Sequence, residues 1–567
     1  MKKQSRLFHL GWVVILIGAL LAHFIQTSGG ISIRDIRFNG ANGQVLSGLL
    51  YVPPGVTAEN KAPGILAVHG YINSRETQSG FAIEYARRGY VVLALDQSGH
   101  GYSDAPAFAN GFGGPAGLAY LRSLDIVDTN NIGLEGHSMG GWTVLAAAAA
   151  MPNDYKAVVL EGSSTGAPFA QEGSTTWPRN LAVVFSKFDE FSPLMWNVDR
   201  AQDVVSSPKL QAVFGTTDAV VPGNVYGDIA AGTARMLQTP NTTHPGDHIS
   251  PEAIGYSIDW FAQTLEGAKP IPSSDQIWLW KEIGTLIAFV GFIILLAGTF
   301  EMLLSTATFA HLRQAPVATA HRSRTAKWWI GFALSAFIPV LTYYLFLYWG
   351  GQLLPGSALF PQTITSQIAF WAVLNGVIVF LIGFVLRGEK VSARGNVLGS
   401  ILIALATVGI GYLFVIAADF LFKIDFRFWV VALKPMSLLQ AKIALVYLVP
   451  FTLFFVLALR GLHTGLTVTG DSRAKQYLSN IGALAMGFLV FLVVQYGWLL
   501  INGHLLSLNE PLNTVVAIQF LPLMAIIAFL STFTYRRTGS YLPGALINSL
   551  FVTWYIVAGQ ATQFPVS

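Results

Sequence analysis

Apolar positions are distributed along this chain in two regimes. Residues 7–27 (LFHLGWVVILIGALLAHFIQT) form one unbroken apolar run behind Lys2, Lys3 and Arg6. About 20 such residues suffice for a helix to cross a bilayer. A basic start with no A-x-A-like site after it predicts a signal anchor over a cleaved leader. From 31 to about 272 the pattern changes to short β-like runs, turn residues and amphipathic stretches. From 277 the apolar runs return, and spans are expected near 278–304, 328–350, 365–387, 396–421, 440–460, 479–503, 513–535 and 541–561. Residues 1–30 therefore read as an anchor, 31–272 as a soluble domain, and 273–567 as an all-α polytopic membrane domain of eight helices.

Within the middle region strands are expected at 44–53, 64–69, 90–96, 131–135, 155–161, 210–216 and 235–238. Helices are expected up to Gly89, near 116–124, at 141–151 and at 250–265. Continuously apolar strands separated by helices imply an α/β fold with a mostly parallel sheet covered on both faces. Chemistry on such a sheet belongs at the strands' C-terminal ends. The stretch 162–208, with Phe185, Phe188, Phe191, Met195 and Trp196, reads as a cap. It would pack its own core or form an apolar lid facing the bilayer.

Composition sharpens the membrane reading: hydrophobic residues make up 53% and charged residues 11%. There is no cysteine, which excludes disulfides, thiolate metal sites and a cysteine nucleophile. The net charge of +4 sits in short loops and does not form a nucleic-acid surface. Those loops hold Arg313, Arg322, Arg324 and Lys327, then Arg387, Lys390 and Arg394, then Arg473 and Lys475, then Arg536 and Arg537. The intervening loop 351–364 is uncharged and 504–512 carries only Glu510. By the positive-inside rule the basic loops are cytoplasmic, which places the soluble domain outside. The loop with Lys423, Asp425, Arg427 and Lys434 is a mixed exception. Asn375, Gln495, Gln519 and Asn548 lie inside spans, with Glu301 and Asp419 nearer span ends, and these read as interhelical hydrogen-bonding positions.

The chemistry centres on Gly136-His137-Ser138-Met139-Gly140, between a predicted strand and a predicted helix. A serine there could merely cap the helix. Small residues two before and two after it instead suit a sharp turn that lifts a nucleophilic hydroxyl out of the sheet. With His69-Gly70-Tyr71 and the run Asp96-Gln97-Ser98-Gly99-His100-Gly101-Tyr102-Ser103-Asp104, residues 40–265 resemble the α/β-hydrolase superfamily. The chain as a whole more loosely resembles bacterial members fused to a multispan region.

That resemblance implies an oxyanion hole from the backbone N–H groups of Met139 and Tyr71, with His69 and His100 supporting turns. The family order of serine, acid and histidine implies Asp218 as the acid and His248 as the base. The alternatives are Glu161 as the acid, Asp218 as a solvated loop carboxylate of no role, and His244 in place of His248, with Asp247 as a supporting carboxylate. The expected activity is hydrolysis of an ester, less so an amide, through an acyl-serine on the extracytoplasmic face of the cell membrane. No cofactor or metal is called for, and the partners would be a small-molecule, lipid-linked or peptide substrate and membrane lipids. A lipid-processing acyltransferase and a transporter or sensor with a hydrolase-like binding domain are the rival classes.

Overall fold

The computed structural model describes residues 6–314, 323–386 and 396–565. Lys2, Lys3, Arg322, Arg387, Lys390 and Arg394 of the charge pattern lie outside them. Strands β1 (Ser32–Asn39), β2 (Val45–Val52), β3 (Ala62–Val68), β4 (Val91–Asp96), β5 (Val127–His137), β6 (Ala157–Glu161), β7 (Leu181–Val184), β8 (Val225–Tyr226) and β9 (Arg235–Gln238) form one sheet in the order β1-β2-β4-β3-β5-β6-β7-β9-β8. Strands β4, β3, β5, β6, β7 and β9 run parallel, while β1, β2 and β8 are antiparallel to their neighbours. The central strands are buried on both faces and carry Val, Ile, Leu and Ala almost throughout, as parallel strands under helices must.

Helix α1 (Arg6–Gln26) precedes the sheet. Helices α2 (Ser79–Arg87), α3 (Gly114–Ser123), α4 (Met139–Ala150), α5 (Ser192–Trp196), α6 (Pro208–Phe214) and α7 (Pro251–Thr264) belong to the sheet domain. Two apolar cores result, one on each face of the sheet.

Two local expectations need correction, and one strand lies where none is expected. Residues 208–214 are helix α6, not a strand: Ser207 caps it, Pro208 fits its first turn, and Gly215 closes it at φ 67°. The stretch 162–208 is not a separate cap, because Leu181–Val184 is a full member of the sheet and Phe185 and Trp196 are buried in the domain core. Strand β1, where the sequence pattern predicts none, forms an antiparallel edge on β2.

The C-terminal region contains α8 (Trp278–Leu303), α9 (Ala326–Leu341), α10 (Tyr343–Leu353), α11 (Thr363–Leu386), α12 (Val397–Phe422), α13 (Leu438–Leu466), α14 (Arg473–Asn502), α15 (Pro511–Thr538) and α16 (Leu542–Gly559). Among the described residues, eight helices including α1 are long and apolar enough to cross a membrane. The pair α9 and α10 would make a ninth, bent by 50°. Helix α1 lies against α8 on glycines at sevenfold spacing, Gly11 and Gly18 facing Gly284, Gly291 and Gly298. A Cβ at Gly18 would sit 2.4 Å from the Ala288 nitrogen, and one at Gly298 2.3 Å from that of Phe8. Small residues let apolar helices approach this closely.

The hairpin β10 (Phe426–Phe428) and β11 (Val431–Leu433), between α12 and α13, reaches the sheet domain. Arg427 pairs with Asp425 at 2.8 Å and donates to Thr77 Oγ1 at 2.8 Å. Lys434 binds Glu76 at 3.1 Å, and Trp429 Nε1 donates to the Pro245 carbonyl at 2.5 Å. The mixed-charge loop is therefore a docking element in which Arg427 and Lys434 are neutralised by carboxylates, while Lys423 donates to the Phe420 carbonyl.

Candidate active site

Strand β5 ends at His137 and α4 begins at Met139, so Ser138 must turn the chain between them. It does so at φ 54° and ψ −122°, a region that costs a non-glycine residue on the order of 1–3 kcal/mol. The flanking glycines make the turn possible. A Cβ at Gly136 would lie 2.2 Å from the Gly140 oxygen, and one at Gly140 would lie 2.1 Å from the Val68 oxygen. Gly70 packs closely on the turn as well, since a Cβ there would lie 3.1 Å from that of Ser138.

Ser138 opens into a cavity of about 490 Å³, a size typical of small-molecule sites. Tyr71, Met139, His244 and His248 share its wall with Ser138. Four of the five expected site residues are thus brought together. Asp218 is not. It lies exposed on the turn after α6, its backbone N–H donating to Thr216 Oγ1 at 3.1 Å and its carbonyl accepting from Gln211 at 3.0 Å. Because 208–214 is a helix, no sheet strand delivers Asp218 to the C-terminal edge.

The carboxylate beside a cavity histidine is Asp189, which accepts from His244 Nδ1 at 2.8 Å and from the Phe191 N–H at 2.7 Å. Strand geometry brings this pair together. β7 and β9 run in parallel register, Val184 opposite Gln238, and beyond their ends a single bridge joins Phe188 to Thr243. The next residue on each side is Asp189 and His244. Glu190 completes the frame, accepting the His244 N–H at 2.8 Å.

His248 departs from its expected role. Its ring lies 4.1 Å from that of His137 and edge-on to Phe81, and neither of its nitrogens has a hydrogen-bond partner among the described residues. Asp247 accepts from Ser186 and stands 3.5 Å from His137 Nε2, close enough for its charge to act on Asp189 and His244 as well. Glu161 is buried at the end of β6; burial first, then the nearby Asp247 and Glu135 charges, push its carboxyl well above the usual range. Its backbone carbonyl accepts the Ser138 N–H at 2.8 Å.

Burial also sets the protonation of the pair. It lowers His244 to about 4, which leaves the imidazole neutral near pH 7. Burial and then the Asp247 charge push Asp189 up. His69 contacts the Gly70 carbonyl through Nδ1 at 2.7 Å and accepts the Gln97 N–H on Nε2 at 3.2 Å, and His100 Nδ1 contacts the Ser98 carbonyl at 2.9 Å. Both hold turns. Among the described residues no group of three or more His, Asp or Glu side chains is arranged to hold a metal ion.

The sequence carries a sign of this carboxylate: Leu181-Ala182-Val183-Val184-Phe185 is an apolar run with Asp189 shortly after it. A single cap over 162–208 leaves no strand there to present it.

Residues 63–193 match the family model for the alpha/beta hydrolase fold. A monoacylglycerol lipase of Mycolicibacterium smegmatis is 31% identical over 181 residues, 30% of this chain and 60% of that protein. The quorum-quenching protein AidA of Acinetobacter baumannii is 33% identical over 130 residues, 20% of this chain and 39% of that protein. The chain thus spans less than two thirds of the length of either relative. A Pyrococcus furiosus esterase structure, 17% identical, covers 42% of this chain and 92% of its own, with a TM-score of 0.31. The sheet domain has the α/β-hydrolase fold, joined to a domain of long apolar helices.

Proposed function

We propose that this chain is a membrane-bound serine hydrolase that cleaves an ester through an acyl-Ser138 intermediate, with Ser138, His244 and Asp189 as its triad. One observation carries the reading. The β7–β9 register sets a hydrogen-bonded acid–histidine pair at 2.8 Å, and the histidine lines the cavity of a strained strand-to-helix serine. In this reading His244, held by Asp189 through Nδ1, takes the Ser138 proton at Nε2 as Oγ attacks the ester carbonyl. The Met139 and Tyr71 N–H groups, with the N-terminus of α4, would stabilise the oxyanion. His244 then protonates the leaving alkoxide, and water repeats the sequence to free the acid. The apolar wall of the cavity favours an ester of an apolar acid, in keeping with the lipase among the relatives.

The hydrolase would face away from the cytoplasm. The basic residues Arg324, Arg536 and Arg537 cluster with Asp471, Gln476 and Glu301 at one end of the bundle. The sheet domain contacts loops of the opposite set, at 426–434 and 509–513. The test is a fluorophosphonate probe on the full chain in detergent. Ser138 should be the labelled residue, and Ser138→Ala should lose labelling and roughly 10⁴-fold or more of esterase kcat. Undiminished turnover by the alanine variant refutes the proposal.

A further inference from the structure

Part of the wall of the Ser138 cavity is not made by the hydrolase domain. It is made by the helical domain: Val430 from the β10–β11 hairpin, Leu512, Val515 and Gln519 from α15, and the turn that precedes α15. A second, narrower cavity continues from the same place. It shares Ile72, Asn73, Val430 and Gln519 with the first and runs down inside the bundle between α11, α13, α15 and α16. Beyond the junction it is lined by aromatic and aliphatic side chains, among them Phe451, Phe455, Phe520, Met524, Ile527 and Ile556. Polar groups near its upper end are engaged elsewhere: Gln519 Oε1 accepts from Tyr555 at 2.5 Å, Arg427 is held by Asp425, and Lys434 by Glu76. Ser74, Thr77 and Gln560 also line it near the junction, but the deeper part, between Phe451, Phe520, Met524 and Ile527, is apolar and offers nothing to replace the hydration of a charged group. Its shape, narrow and leading away from a nucleophilic serine, suits a linear hydrocarbon attached to the carbonyl that the serine attacks.

We infer that the transmembrane bundle holds the acyl chain of the substrate, so that the substrate class is a long-chain acyl ester whose tail threads past Val430 and Gln519 into the channel between α11, α13, α15 and α16. The inference rests on the serine-hydrolase reading and adds where the apolar part of the substrate lies. Each methylene moved from water into such a channel is worth about 0.8 kcal/mol, close to fourfold in binding. A chain that fills it therefore gains selectivity by orders of magnitude over a short one. It also follows that the helices are part of the enzyme's specificity and do more than tether it.

Two measurements on the full chain in nanodiscs test this. In the first, a long-chain alkyl fluorophosphonate bearing a terminal diazirine is attached to Ser138, forming the Oγ–P bond with loss of fluoride, and is then photolysed. The crosslink should fall on the inner face of α15 near Phe520–Ile527, or on α13 or α16 facing it. Crosslinks confined to Phe108, Phe169 and Leu194 at the cavity mouth, or to lipid, overturn the inference. Failure of the probe to label Ser138 at all counts instead against the serine-hydrolase reading. In the second, Met524→Trp should lower the ratio of kcat/KM for palmitoyl over butyryl p-nitrophenyl esters by about tenfold, the worth of roughly two buried methylenes. Leu413→Trp, on the lipid-facing side of α12, serves as the control and should leave the ratio unchanged. An unchanged ratio in Met524→Trp, with Ser138 still labelled by a short-chain probe, overturns the inference.

Discussion

At the scale of single residues, the proposed chemistry depends on which acid and which histidine would act with Ser138. Asp189→Asn should lower kcat by several orders of magnitude, because the amide can present its N–H to His244 Nδ1 and favour the wrong tautomer. Asp218→Asn should stay within a factor of two, since that side chain stands in solvent on the turn after α6. His244→Ala should abolish esterase activity. His248→Ala should retain a measurable fraction, because its ring nitrogens have no acid partner. Steady-state kinetics on the four variants would check the ranking, and a greater loss at 218 and 248 would reverse the assignment. The pH profile follows from the same pair. Burial lowers His244 from its ordinary 6.5 to about 4, so the base form persists as the pH falls through 6. The acid limb of kcat/KM should therefore lie near pH 4, and an inflection at 6.5 would contradict the burial of this ring.

At the scale of elements, two close approaches set the framework. The turn around Ser138 brings Gly140 against the end of β3, where a Cβ would meet the Val68 oxygen at 2.1 Å. Gly140→Ala should cost roughly 1–3 kcal/mol or more, as overpacking in a rigid core does. It should also displace Ser138, and thermal denaturation read beside probe labelling would show both losses. The second approach is the glycine seam between α1 and α8. Gly291→Leu, where a Cβ would already lie 2.6 Å from the Ile15 nitrogen, should separate the two helices. Cysteine crosslinking between α1 and α8 should then fall, while crosslinking between α13 and α16 should not. The seam was readable as sevenfold glycine spacing, yet only its partner helix gives that spacing meaning.

At the scale of the whole molecule, the helical domain holds the loops that carry His244 and Tyr71, two residues of the proposed site. Tyr496 of α14 donates to Glu190 Oε1 at 2.8 Å, and the other oxygen of Glu190 accepts the His244 N–H. Trp429 donates to the carbonyl of Pro245, the next residue, and Gln563 donates to the Tyr71 hydroxyl at 2.5 Å. Tyr496→Phe removes one of these contacts and leaves a buried carboxyl oxygen without its partner, at a cost of about 1–3 kcal/mol. We expect a lower kcat with Ser138 still reactive, measured as turnover against labelling rate. The isolated segment 31–272 lacks α15 and the β10–β11 hairpin, so its cavity loses one wall. It should label with short probes far more slowly than the full chain.

The sequence alone determined what depends on local pattern: the parallel sheet, the positions of the apolar helices, the serine turn and its glycines. Each is written in neighbouring residues, because strand, helix and turn preferences act over a few positions. It could not determine which acid and histidine meet, because that depends on the register between β7 and β9, strands 50 residues apart whose pairing is fixed by packing. It could not determine the purpose of the mixed-charge loop at 423–434 either, because Glu76 and Thr77, which receive Lys434 and Arg427, lie some 350 positions earlier. Nor did the polarity pattern of α15 show that Leu512, Val515 and Gln519 line one cavity with Ser138. An apolar residue that lines a cavity and one on the outer face of the bundle have the same hydrophobicity, and only the packed helices distinguish them.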